Sequence, residues 1–373
     1  MALPNTQPFV ETDHPPHLRP FAGTMPGHAK YPPVVAKVEM LGYIEDTNAI
    51  SYSRDIGRSS ILKGNVYYMF GDTFCKNQQG AFVGVQSTTS SIINKPSQPL
   101  SSTYLTIQED GVVDALVPLT EAEHRQEKII WKDKTHPRVT LWAFGGMVEV
   151  GEYGYLWFQK GVINETEGNE ENVYKGTGLA RVKADKDGRL NTYRANGPLI
   201  FSADEPRIGT LSTIVEGDFV YLWGDHAKGY GDGIILSRVS KDMLEYKDCY
   251  TYWNGDSYVA DWKEAQPVFN KMQSGAVVRT CLFGEEMPWL FVGSTGWADS
   301  KVMLGASATL EGPFNEKPIF MAEGLDQPDT IMYCMYPHTW AFDGHKGELM
   351  VTWSEQWPGG VVGAKINLVI DRC

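Results

Sequence analysis

The sequence predicts an all-β molecule, a five-bladed β-propeller in a single domain, and three observations carry the prediction. Short β-branched and aromatic runs alternate with Gly, Asp and Asn turns. No long segment sustains helical periodicity. One pattern recurs five times along the 373 residues: a strand, a Gly-containing turn, a return strand rich in Tyr, Leu, Trp and Phe, then a small or polar cluster.

The first copy spans residues 58–63, a turn at Gly64-Asn65 and a return at 66–70 that ends in Gly71-Asp72-Thr73. The second runs from Leu141-Trp142 to Val150, turns between Gly151 and Gly154 and returns over 155–159. The third is 210–216, turn Gly217-Asp218, return 219–223, ending in Gly224-Asp225-His226. The fourth is 276–283 with a return at 289–292, and the fifth 339–342 with a return at 348–353 that ends in Ser354-Glu355. A spacing of roughly 60 to 90 residues suits a four-stranded blade with generous loops and exceeds the ~40 residues of a WD-type repeat. Strands at 34–44 and 364–370 lack hairpins of their own, and pairing them in one blade closes the ring. Residues 1–33 then form a Pro-rich extended arm and 34–373 the propeller. Two stacked β-sandwiches are the competing architecture, but residues 45–360 show no linker-like boundary.

The charge balance, 46 acidic against 33 basic residues for a net −13, disfavours nucleic acid and anionic membrane partners. No apolar run approaches the ~20 residues of a membrane span. Five scattered cysteines without a CxxC read as reduced thiols, and with no signal-peptide layout at the start they point to a cytoplasmic home. The sequon Asn164-Glu165-Thr166 points the other way, as does the chance that a leader has been removed.

Antiparallel pairing brings the start of each innermost strand and the end of its neighbour to one face. A two-residue turn at Gly64-Asn65 pairs Lys63 with Val66 and sets Asp72 opposite Gly57, with Asp55 two residues further on the same side. Asp55, Asp72, His338 and Glu355 are the candidate catalytic residues. Arg58, Trp142, Asp225, His226, Gln273, Trp297, Tyr336 and Trp357 are the candidate substrate-binding residues, an aromatic bowl suited to a neutral small molecule. Each has a structural alternative: an Asp after a strand caps turns, and Trp157, Trp223 and Trp353 read as blade packing. Prolines 15 and 16 between His14 and His17 exclude a helical metal pair, and Asp185-Lys186-Asp187-Gly188 lacks the distal Glu of a calcium loop. No metal site, nucleotide motif or other cofactor is expected.

The stretch Asp55-Ile56-Gly57-Arg58 with Tyr68-Met69-Phe70-Gly71-Asp72-Thr73-Phe74 resembles the D-(L/I)-G … F-G-D-T-F signature of furanosidase-like five-bladed propellers, among them the endo-D-arabinanase glycoside hydrolases. Tyr336-Pro337-His338-Thr339-Trp340 and residues 351–355 are similar to that family's final blade. The resemblance implies acid/base and nucleophile roles for Asp55 and Asp72. The Pro-rich start and aromatic rim resemble the family's fungal secondary-metabolism branch, which includes the trichothecene-cluster propeller protein and ring-closing enzymes. The expected function is therefore a cofactor-free cyclase or hetero-Diels-Alderase acting on a terpenoid or polyketide-terpenoid intermediate. A furanoside hydrolase using Asp55 and Asp72, and a non-catalytic binding propeller, are the alternatives. Oligomeric state is not legible.

Overall fold

A computed structural model describes residues 27–126, 138–166, 169–195, 197, 199–229, 231–296, 299–326, 330–356 and 359–371. Among them the chain is nearly all-β, with one α-helix, Glu121–Gln126. Five sheets of four to six strands follow one another along the sequence. Arg58–Leu62 begins the first. Arg138–Trp142 and Met147–Val150 begin the second, Ser212–Glu216 the third, Ser274–Arg279 the fourth and Met332–His338 the fifth. The N-terminal strand Val35–Tyr43 pairs antiparallel with Val361–Leu368 in the fifth sheet. Most of the arm expected at residues 1–33 lies outside the described residues.

Hydroxyl groups on or near the inner strands join successive sheets. The Met147 N–H donates to Ser60 Oγ at 2.9 Å, and Thr213 Oγ1 donates to the Gly145 carbonyl at 3.0 Å. The Val277 N–H donates to Ser212 Oγ, the Met335 N–H to Ser274 Oγ and the Ile56 N–H to Ser354 Oγ, at 3.0, 3.2 and 2.8 Å. Small polar residues therefore occupy these strands because each neighbouring sheet presents a buried amide or carbonyl that needs a partner. The apolar cores lie between sheets: Trp157 with Leu222, Trp223 with Phe291, and Trp353 with Val292. All three tryptophans are fully buried, as blade packing requires.

The expected hairpins survive with changes of register. In the first, Lys63 and Gly64 form the turn with φ of +50° and +76°, the pair of left-handed residues that a tight hairpin of this twist demands. Leu62 then pairs with Asn65, not Lys63 with Val66. In the fifth, residues 339–347 are a loop, and the inner strand is Met332–His338. The left-handed Cys334, φ +57°, falls at a bulge between Tyr333 and Tyr336 that shifts this register. Glu355 consequently lies opposite Met332, not beside Tyr336 or His338.

Candidate active site

The corrected first hairpin brings the two aspartates closer than the sequence count had them. Continuing the Leu62–Asn65 register sets Asp72 opposite Asp55, and the Gly71 N–H donates to the Asp55 carbonyl at 3.0 Å. Asp55 is followed by Ile56 at φ +75° and Gly57 at +70°. A β-branched residue in that region is strained, and such strain persists where surrounding structure holds it. Here Ser354 binds the Ile56 amide, and the Ile56 side chain packs with Ala276, Tyr333, Cys334 and Tyr336. Gly71 is required by contact, because a Cβ there would stand 2.2 Å from Asp55 Oδ1.

The carboxylates occupy different environments. Asp72 takes both terminal nitrogens of Arg138, at 2.8 and 2.6 Å, and the Trp142 indole N–H at 2.9 Å. Arg138 also reaches Ser87 Oγ at 3.3 Å, and Trp142 stacks on Phe144 with centroids 5.6 Å apart. A two-pronged pair of this geometry fixes the orientation of the carboxylate. Asp55 has no such cation. Its Oδ2 accepts from the Tyr333 hydroxyl at 3.2 Å, and its Oδ1 is buried with no hydrogen-bond partner among the described residues. Burial first, then the negative charge of Asp72, push Asp55 up to about 7, against the pull of Tyr333 and Arg138.

Other expected site residues are placed differently. Arg58 is buried at 5% exposure and turns inward, donating to the carbonyls of Phe144, Leu211 and Gly275 at 3.3, 3.0 and 3.2 Å. Those carbonyls belong to the second, third and fourth sheets, and the guanidinium lies 5.7 Å from the ring of buried Tyr336 in the fifth. Arg58 and Tyr336 therefore fill the centre instead of facing a ligand. His338 ends the strand that carries Tyr333, bonded at 2.7 Å to both Ser59 and Thr352, and burial lowers it to about 3. Neither ring nitrogen is left for proton transfer with a substrate, which corrects its expected catalytic role. Glu355, 2% exposed, accepts from the Tyr43 hydroxyl at 2.5 Å and from the amides of Leu325 and Asp326, so it clamps a loop.

Asp225 stands at the end of its strand, 3.8 Å from Arg207, raised by burial. His226 packs against Trp262, and burial lowers it. Gln273 bonds Ser294 and faces the Cys334 thiol. Trp297 and Trp357 lie outside the described residues. Sequence reading missed Arg138 and Tyr333. Arg138 shares a strand face with Trp142 by alternation, which is a usable signal, whereas Tyr333 meets Asp55 across 278 residues and leaves none. Among the described residues no cluster of three or more His, Cys, Asp or Glu could hold a metal ion, and no helix is long and apolar enough to cross a membrane.

Sheets packed in succession around a central arginine define a protein of the β-propeller class. Solved structures share that fold. A protein of Bacteroides ovatus ATCC 8483 with a provisional hydrolase name has a TM-score of 0.54 and 16% identity, covering 86% of this chain and 87% of its own. The GH43_1 enzyme from Xanthomonas citri, complexed with xylotriose, has a TM-score of 0.46 at 10% identity, over 89% and 93%. The compost-metagenome β-xylosidase/α-arabinofuranosidase CoXyl43 has 0.45 at 11%, over 91% and 98%. No curated protein matches the sequence. The family model described as a domain of unknown function, DUF5005, matches residues 48–357, and the chain belongs to that family.

The Bacteroides ovatus structure that shares the fold carries a hydrolase name, and the expectation of a cyclase of fungal secondary metabolism is corrected accordingly. The aromatic bowl behind that expectation also dissolves in part: Tyr336 is core, and Trp142 is engaged with Asp72.

Proposed function

We propose that this protein is a glycoside hydrolase that cleaves a furanoside with Asp55 and Asp72, on a ring of five blades closed by the pairing of its terminal strands. One observation carries the reading: adjacent, half-buried carboxylates of opposite character, Asp55 raised to about 7 with one oxygen unpartnered, Asp72 locked to Arg138. Glycoside hydrolysis needs one carboxyl that holds a proton for the departing oxygen and one that stays charged, and environments that separate two such groups mark the pair. Asp55 donates the proton. Asp72 activates water or attacks the sugar, since a carboxylate offers about four acceptor sites and three donors occupy it here. Trp142, stacked on Phe144, gives the sugar an apolar edge beside Asp72.

The test is release of nitrophenol from aryl α-L-arabinofuranoside, β-D-fructofuranoside and β-D-xylopyranoside. Asp55→Asn and Asp72→Asn should each lower kcat/KM by about 10²- to 10⁴-fold. Failure of the wild-type protein to cleave either furanoside, or full activity in both variants, refutes the assignment.

A further inference from the structure

A cavity of about 700 Å³ lies between the first sheet and the second. Between its second and third strands the first sheet carries an added hairpin, Thr73–Lys76 with Phe82–Gln86, which forms a separate three-stranded sheet with Ser53–Arg54. The described residues of the other four sheets have no such hairpin at that position. This hairpin makes one wall of the cavity. Residues 105–119 and the helix Glu121–Gln126 make the next, and the turn at 188–192 of the second sheet makes the third.

The walls are held in place by bonds that need no ligand. The Leu116 N–H donates to the Thr88 carbonyl at 2.7 Å, and the Gln108 N–H to the Val112 carbonyl at 2.8 Å. The buried Tyr67 hydroxyl donates to the Gly188 carbonyl at 2.9 Å, pinning the turn of the second sheet to the first. Glu123 ties the helix to the second sheet through Lys160 at 2.6 Å and through Arg194. A cavity of several hundred Å³ whose shape exists beforehand spares a ligand the cost of ordering it.

Its lining selects among ligands. Gln86, Ser90, Thr106 and Asn191 present amides and hydroxyls, His124 and Arg189 ionisable groups, and Leu105 and Leu190 an aliphatic floor. The carboxylate Asp114 is engaged by Gln108 at 2.9 Å. Amides, hydroxyls and a few ionisable groups over an apolar floor fit a polyhydroxylated molecule, whose hydroxyls can both donate and accept. One lining residue connects with the catalytic pair through the chain. Gln86 is paired with Thr73, next to Asp72, and is followed by Ser87, which bonds the Arg138 that holds Asp72.

We propose that this cavity binds the distal part of a neutral oligosaccharide whose scissile bond lies at Asp55 and Asp72. The proposal rests on the hydrolase reading and extends it, from a single cleaved sugar to a substrate several units long. The experiment measures binding of arabinotetraose and xylotetraose by calorimetry, together with turnover of the short aryl glycosides. Two variants are compared with wild type: Asn191→Trp, which fills the cavity from an exposed edge strand, and Gln86→Ala, which only removes an amide. Each should weaken tetrasaccharide binding about tenfold, the worth of one or two hydrogen bonds, with turnover of the aryl monosaccharides unchanged. Unaltered tetrasaccharide affinity in both variants overturns the proposal, as does the absence of binding to wild type at millimolar concentration. If no aryl glycoside is cleaved but tetrasaccharide binding is present and lost in Asn191→Trp, the cavity assignment stands and the hydrolase assignment falls.

Discussion

The centre of the molecule and the carboxylate pair both hold ionisable groups away from water, and they treat them differently. At the centre, Arg58 donates to three carbonyls, with its Nε left without a partner, and His338 is bonded at both ring nitrogens. At the pair, Asp55 keeps an unpartnered buried oxygen beside the charge of Asp72, and the chain runs on into a strained Ile56. What sets the pair apart is the like charge, and burial beside one is tolerated where it does chemistry. The contrast separates structural from reactive groups even though all four side chains were equally plausible from sequence.

The largest effect that tests this contrast is a pair of opposing pH slopes. Asp55 is raised from 3.8 to about 7, so the folded chain holds an extra proton between those values and its stability falls as pH rises through that window. His338 is lowered from 6.5 to about 3, so the unfolded chain holds the extra proton and stability falls as pH drops from 6.5. Each slope is worth roughly 4 kcal/mol at full expression, and the two oppose one another across the shared range. Urea unfolding of Asp55→Asn should show a gain in stability at pH 8 and expose the histidine slope, whereas His338→Gln should expose the aspartate slope. Equal slopes in both variants would erase the distinction.

Next in size is Arg58→Met. It leaves the carbonyls of Phe144, Leu211 and Gly275 without their donor, at a cost of about 3 kcal/mol or more in unfolding free energy. The pH dependence of any hydrolysis should stay in place. A smaller effect is expected of Tyr333→Phe, which removes the hydroxyl that lowers Asp55. The loss of one hydrogen bond, about 1 kcal/mol, should move the alkaline limb of a pH–rate profile upward by less than one unit, with stability nearly unchanged.

Local chemistry was legible in the sequence wherever a turn was short and its residues ordinary. The third hairpin is an example, with Glu216 paired to Phe219 around Gly217-Asp218 as expected. The first hairpin was displaced because Lys63, and not Asn65, takes the left-handed turn position, a choice that propensity does not dictate. The fifth was displaced because Cys334 opens a bulge inside a run of good strand formers. Asp55 and Asp72 could be brought together because they sit on one hairpin. Arg138 lies on another sheet and Tyr333 on a third, so their contacts depend on how sheets pack, which local pattern does not encode. Arg58 and Glu355 were assigned to the site because antiparallel pairing brings strand starts and ends to one face. Here the ring of carbonyls and the Tyr43 hydroxyl take them first.

The most direct measurement is a carboxyl carbon-13 titration of the wild-type protein and of Asp72→Asn, with the Asp55 signal assigned by its loss in Asp55→Asn. The account predicts a midpoint near 7 for Asp55. In Asp72→Asn that midpoint should fall toward the ordinary aspartate value, because a like charge is gone and Arg138 is freed to act on Asp55. A wild-type midpoint near 3.8, or one that Asp72→Asn leaves unmoved, would contradict the claim that these two carboxylates form a split acid–base pair.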